Sequence, residues 1–267
     1  MLRFTKMNGA GNDFVLIDNR ARELQLSREQ IARVCDRHRG VGADGILMLE
    51  PAANGADFRM RYYNADGGEA EMCGNGARCF ARFAHRVAGA KSVIKFETPA
   101  GVIGAELIGE LVTLQMSDPQ DLRMNLQIAL LDETVAAHFV NSGVPHVVVP
   151  VGEIDDVDVR RLGSAIRQHE MFSPAGTNVN FTEIRAEDKI AIRTYERGVE
   201  DETLACGTGV VASALIHAAT QSAKSPVTIS VRGGNDLQVG FERDGANFRR
   251  VTLTGPAEFV FEGSIEV

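Results

Sequence analysis

The chain has 267 residues, 44% of them hydrophobic and 24% charged, a composition suited to a globular protein with a substantial core. A formal net charge of −8 with no basic block argues against a nucleic-acid or anionic-membrane partner, and no apolar run approaches the roughly 20 residues that cross a bilayer. The start, MLRFTKMNGAGNDF, has no apolar secretory segment, and four cysteines in so long a chain form no disulfide framework; a cytoplasmic protein with reduced thiols is expected.

In chain order, alternating and β-branched runs predict strands over 2–7, 14–19, 45–50, 57–65, 92–97 and 111–116. Further strands are predicted over 146–151, 178–184, 189–198, 227–231, 237–242 and 250–255. Helices are fewer. One is expected at 27–38, where Ser27 and Gln30 have capping-box spacing, and a counterpart at 158–169. Two more follow Cys73 and Cys206, the first stopped by Gly89.

The two halves repeat each other. EMCGNGARC at 71–79 and LACGTGVVA at 204–212 are 133 residues apart, half the chain. The same offset carries Tyr62 to Tyr195, Glu69 to Glu202, Gly74 to Gly207, Gly76 to Gly209 and Asn8 to Asn141. In each half an alternating strand precedes the cysteine turn and a helical run follows it. An internal duplication is therefore read, giving an α+β fold of two pseudo-symmetric domains, each with strands wrapped around a central helix. Pro119 and the acidic residues of 117–123 mark the boundary. The first half is expected over 1–117, completed by a C-terminal strand near 258–267, and the second over 118–257.

A glycine-rich turn opening a helix presents backbone N–H groups that have no intrahelical partner. It is an anion site, and a thiol beside it is made more acidic. Cys73 and Cys206 occupy such turns at repeat-related positions, whereas Cys35 and Cys79 fall inside helices and read as core. No two cysteines have C-x2-C spacing and no His stands at ligand distance, so no metal is expected. Neither Gly-x-Gly continues as a P-loop or dinucleotide fingerprint. If the halves face each other, one thiolate and one thiol flank a single carbon, one removing a proton and the other returning it. The pattern thus points to a two-base racemase or epimerase that needs no organic cofactor.

These segments resemble the diaminopimelate epimerase family. The resemblance rests on KMNGAGNDFVLID at 6–18, RHRGVGADGIL at 37–47, NADGGEAEMCGNGARCFARF at 64–83, GTNVNF at 176–181 and YERGVEDETLACGTGVVA at 195–212. It implies pyridoxal-phosphate-independent interconversion of LL- and meso-2,6-diaminopimelate, with Cys73 and Cys206 as the catalytic pair. Gly74, Asn75, Gly207 and Thr208 match the turn residues that hold the reacting carboxylate. Asn12, Asn64, Asn178 and Arg197 match groups that read the substrate, chiefly its distal end, and His146 and Glu196 match residues that tune the thiols, with Glu196 also at the substrate. The family further implies a homodimer.

Two positions depart from the family pattern. Val144 replaces an Asn often found in GNPH, and Gly45 stands where some members carry Gln; both changes bear on distal recognition. The rivals are a proline or hydroxyproline enzyme of related fold, whose first turn typically carries His where this chain has Asn75, a thiol redox switch, and a non-catalytic anion-binding module.

Overall fold

Two sets of the same elements follow one another along the chain in the computed structural model, which describes residues 1–245 and 247–267. The first set is β1 (Leu2–Gly9), β2 (Asn12–Asp18), α1 (Arg28–Cys35), β3 (Gly45–Pro51), β4 (Phe58–Asn64), β5 (Glu69–Ala70), α2 (Gly74–Ala88), β6 (Val93–Thr98), β7 (Gly101–Ile108) and β8 (Leu111–Gln115). The second set is β9 (Gln120–Ala129), β10 (Thr134–Asn141), β11 (Pro145–Pro150), α3 (Val159–Arg167), β12 (Asn178–Ala186), β13 (Lys189–Glu196), β14 (Asp201–Thr203), α4 (Gly207–Gln221), β15 (Val227–Val231), β16 (Asp236–Asp244) and β17 (Asn247–Pro256). A last strand, β18 (Glu258–Ile265), returns to the first set. The compact units are Met1–Gln115 with Gly255–Val267, and Met116–Thr254.

Strand pairing is the same in both. In the first unit β1 lies antiparallel between β18 and β2, β2 runs parallel to β3, β3 antiparallel to β4, and β4 parallel to β6, with β7 and β8 following antiparallel. In the second, β10 lies between β9 and β11, β11 runs parallel to β12, and β13 parallel to β15, with β16 and β17 following. A parallel pair needs a crossover rather than a hairpin. The helices α1 and α2 supply the two crossovers of the first unit, α3 and α4 those of the second.

Each crossover helix covers one face of its sheet. The first-unit core against α1 contains Val15, Ile17, Ile31, Val34, Ile46 and Met48, with Cys35 among them. On the other face Phe14 and Leu47 meet Gly76 of α2, and Phe80 of α2 lies 4.8 Å from Phe96 of β6. In the second unit Val147, Val149, Val159, Ile166 and Phe181 form one core, and Val148 packs with Ala212 and Ile216 of α4 on the other face. Burial on both faces explains why HVVVP and GILMLE read as continuous apolar runs rather than alternations. It also explains GVVASALIHAA, apolar around its whole circumference because α4 is enclosed by strands.

The cysteines stand at the helix starts. Cys73 is the N-cap of α2 and Cys206 the N-cap of α4, both with extended backbone and neither capping its helix through its side chain. Each helix ends in a left-handed residue, Gly89 at φ 63° and Ser222 at φ 58°, again 133 positions apart.

The strands over 101–108, 120–129 and 134–141 are additions to the expected set. In β7, Gly101 and Gly104 dilute the β-forming pattern. In β9 the first residues overlap the stretch read as a boundary; Leu122, Met124, Leu126 and Ile128 do alternate, but Asp121 and Asn125 adopt positive φ within it and the ladder to β10 shifts register twice.

Candidate active site

At the first turn, the backbone carbonyl of Cys73 accepts from Ala77 N–H at 2.7 Å, which starts α2 and leaves the side chain half-buried. Gly74 and Asn75 follow, both buried. The Asn75 amide is fixed from both ends: its Nδ2 donates to Asn12 Oδ1 at 2.7 Å, and its Oδ1 accepts from Arg78 Nη2 at 2.8 Å. Asn12 Nδ2 in turn donates to Asp44 Oδ2 at 2.8 Å. Asp44 and Asp13 share Arg37, and Asp13 is also paired with Lys6 at 2.7 Å. Burial alone would raise the Asp13 carboxyl, but hydrogen bonds from Arg37 and Lys6 prevail and hold it below the usual carboxylate range. The first turn therefore rests on an ionic network.

Asn64 stands apart from that network, exposed at the end of β4, where its backbone N–H donates to Gly68 O at 2.9 Å. Its ladder neighbour is Gly45. A Cβ added at Gly45 would sit 2.4 Å from Tyr63 O and 2.7 Å from the Tyr62 ring, so this backbone has no room for a longer residue there.

The second turn is built from neutral groups. Cys206 is buried and its Sγ lies 3.6 Å from Thr208 Oγ1. The Thr208 hydroxyl is 2.9 Å from Nε2 of His146 on β11, while His146 Nδ1 is 3.1 Å from Asn180 Nδ2 on β12. The orientation of Asn180 follows from its other contacts. Its Nδ2 donates to Val147 O at 3.0 Å and its Oδ1 accepts from the Thr194 hydroxyl at 3.0 Å. Nδ2 must therefore donate to His146 Nδ1, which puts the imidazole proton on Nε2, donated to Thr208 Oγ1. The Thr208 hydrogen is then available to the sulfur. Full burial pushes His146 down to about 3, with the Arg197 guanidinium adding to the effect, so the ring is neutral across the physiological range.

Parallel pairing of β11 with β12 sets Asn178 beside His146. Asn178 Oδ1 accepts from the Arg197 backbone N–H at 2.8 Å and its Nδ2 donates to Pro145 O at 3.3 Å, which ties the end of β13 to β11. Arg197 is half-buried and donates to Ala175 O at 3.0 Å. Glu196 accepts from the Thr203 hydroxyl at 2.8 Å; burial raises its carboxyl above the usual range, outweighing that hydrogen bond. Of the expected residues, the first unit thus groups Cys73, Gly74, Asn75 and Asn12, and the second groups Cys206, Gly207, Thr208 and His146 with Asn178 and Arg197 close by.

Residues that sequence reading passed over hold these groups in place: Arg78 and Asp44 in the first unit, Asn180 and Thr194 in the second. Arg78 carries a signal in the repeat itself, since its equivalent 133 residues later is Val211.

The diaminopimelate epimerase family model matches residues 4–121 and 138–260, most of both units. The chain belongs to the diaminopimelate epimerase family. Its relatives include the diaminopimelate epimerase of Aquifex aeolicus, 44% identical over 99% of this chain and 98% of that one. The Chlorobaculum tepidum enzyme of the same name is 45% identical over 97% and 99%. Among solved structures, a Bacillus anthracis phenazine biosynthesis protein of the PhzF family superposes with a TM-score of 0.74 at 16% identity, covering 100% of this chain and 99% of the other. A probable proline racemase from Agrobacterium radiobacter gives 0.72 at 15% identity, covering 100% and 93%. Those two establish a shared fold. Among the described residues no helix is long and apolar enough to cross a membrane, and none of the His, Cys, Asp and Glu side chains cluster in a metal-binding group of three or more.

Proposed function

We propose that this member of the diaminopimelate epimerase family interconverts LL- and meso-2,6-diaminopimelate, with Cys73 and Cys206 acting on opposite faces of one α-carbon. The supporting observation is that both thiols are N-caps of the repeat-related central helices. In one direction the Cys73 thiolate takes the α-proton and becomes a thiol, while the Cys206 thiol protonates the carbanion from the other face and is left as a thiolate. The reverse direction exchanges the roles. No net proton is lost, and one isomer resets the pair for the other.

The first-turn N–H groups of α2 and α4 suit the substrate's reacting carboxylate, on which charge accumulates as the proton leaves. The Thr208 hydroxyl stabilises the Cys206 thiolate by donation, and neutral His146 keeps that hydroxyl pointed at sulfur. Arg197, Asn178 and Asn64 are assigned to the distal amino-acid end, where a guanidinium suits a carboxylate and amides suit either charge. Glu196, its carboxyl raised by burial, is assigned to the proton balance near Arg197. The chain is read as a cytoplasmic homodimer; exposed Val260 and Phe261 on β18 offer apolar surface for a second copy.

The test is incubation with LL-diaminopimelate in D2O under reducing conditions, without pyridoxal phosphate. The meso isomer should form with deuterium at one α-carbon, and Cys73→Ala or Cys206→Ala should abolish it. The absence of both isotope uptake and isomer formation in the wild type would refute the assignment.

A further inference from the structure

The first unit contains a buried cation that the proposed reaction does not use. Arg78, on α2 five residues after Cys73, is 0% exposed. Its Nη2 donates to Asn75 Oδ1 at 2.8 Å and to Gly9 O at 3.3 Å, and its Nε donates to Pro256 O at 3.2 Å. All three acceptors are neutral, and Nη1 has no partner among the described residues. A buried guanidinium without a counter-charge is costly, and the fold does not require one at this position. The duplicated unit shows this directly, because its equivalent residue, Val211, is fully buried and aliphatic.

The acidic groups in the field of Arg78 are the two thiols of its own helix, Cys79 and Cys73. Cys79 is fully buried and pushed up to about 12, so it stays neutral; Arg82 on α2 and Glu258 on β18 face it as well. Asp44 and Asp13, also near this turn, are linked to it through Asn12 and are paired with Arg37 and Lys6. The group left to balance Arg78 is Cys73. A long side chain on a helix also leans toward the helix N-terminus, which is where Cys73 stands.

We propose that Arg78 is the positioning residue of the first cysteine turn, holding the Asn75 amide and serving as the buried counter-charge of the Cys73 thiolate. The inference rests on the reading of Cys73 as a proton-transferring thiol. It makes the two turns unequal: Cys73 has a fully buried cation on its own helix, whereas at the equivalent place Cys206 has Val211, with the Thr208 hydroxyl and the neutral His146 ring beside it and the half-buried Arg197 guanidinium in the field of that ring.

The experiment is the pH dependence of iodoacetamide alkylation, with Cys73 and Cys206 resolved by peptide mass, in wild type, Arg78→Lys and Arg78→Met. In Arg78→Met the Cys73 midpoint should rise by about one pH unit, close to a tenfold slower reaction at pH 7. Arg78→Lys, which keeps the charge, should recover most of the shift, and the Cys206 midpoint should not move. An unchanged Cys73 midpoint in folded Arg78→Met would overturn the proposal. If Arg78→Met does not fold, the wild type decides: the Cys73 midpoint must lie below the free-thiol value of about 8.5, and a midpoint at or above it overturns the assignment. Alkylation needs no substrate, so this result stands separately from whether epimerisation is observed.

Discussion

His146 Nε2 donates to Thr208 Oγ1 across 2.9 Å, and that hydroxyl lies 3.6 Å from the Cys206 sulfur. A neutral imidazole in this position orients a hydroxyl rather than supplying a proton. The hydroxyl therefore matters for its hydrogen, which predicts a sharp difference between isosteres. Thr208→Val should lower kcat by roughly ten- to a hundredfold, the range for losing a hydrogen bond to a charged group. Thr208→Ser should keep most of the activity. Steady-state kinetics on both variants, with circular dichroism to verify folding, checks this; equal losses in the two would remove the hydroxyl from the scheme.

The same imidazole makes stability depend on pH. His146 is neutral when folded down to about pH 3, but an unfolded histidine binds a proton below about 6.5. Between those values the unfolded state holds more protons, so stability falls as the pH falls. Glu196 acts in the opposite sense, since a carboxyl raised on folding loses stability as pH rises. The Tm of wild type should drop from pH 7 to pH 5 by more than that of His146→Gln, which lacks the titrating ring. A larger drop in the variant would contradict the buried neutral state.

Gly209 and Gly76 occupy equivalent places but should respond differently to alanine. A Cβ at Gly209 would stand 2.4 Å from Asn180 Oδ1, in the contact that orients His146, whereas at Gly76 its nearest neighbours would be Leu47 and Phe14 at 3.3 Å or more. Gly209→Ala should cost on the order of 1–3 kcal/mol, the range for overpacking, and depress activity further by disturbing His146. Gly76→Ala should be milder on stability. Urea unfolding of both variants makes the comparison.

Ser222 closes α4 with φ 58° and an exposed side chain, where Gly89 closes α2. A left-handed residue with a Cβ is strained and glycine relieves the strain. Ser222→Gly should raise stability by about 0.5–1 kcal/mol, and Gly89→Ala, with open space around the new methyl, should lose a similar amount. Denaturant midpoints read both, and activity should be unchanged in each.

The parts of this protein legible in its sequence are those set by local chemistry and by the repeat. Strands such as HVVVP and helices such as α1, with its Ser27 capping box, declare themselves through period and composition. The offset of 133 residues made the duplication visible and singled out Cys73 and Cys206 from the two core thiols. Strands β7 and β9 are less legible, because glycines in one and positive-φ polar residues in the other break the pattern that tertiary pairing completes.

The α+β class, the doubling and the family follow from the order of the amino acids alone, because hydrophobic period, turn residues and motif spacing are properties of neighbours along the chain. The chemistry around each thiol comes instead from packing between distant segments. That packing encloses Arg78 beside Asn75, and it stacks Asn180, His146 and Thr208 into a line ending at Cys206. Charge state and hydrogen-bond direction depend on burial and on partners tens of residues away, so the same Cys-Gly-x-Gly turn is held by an ionic network in one unit and by a neutral Asn–His–Thr line in the other.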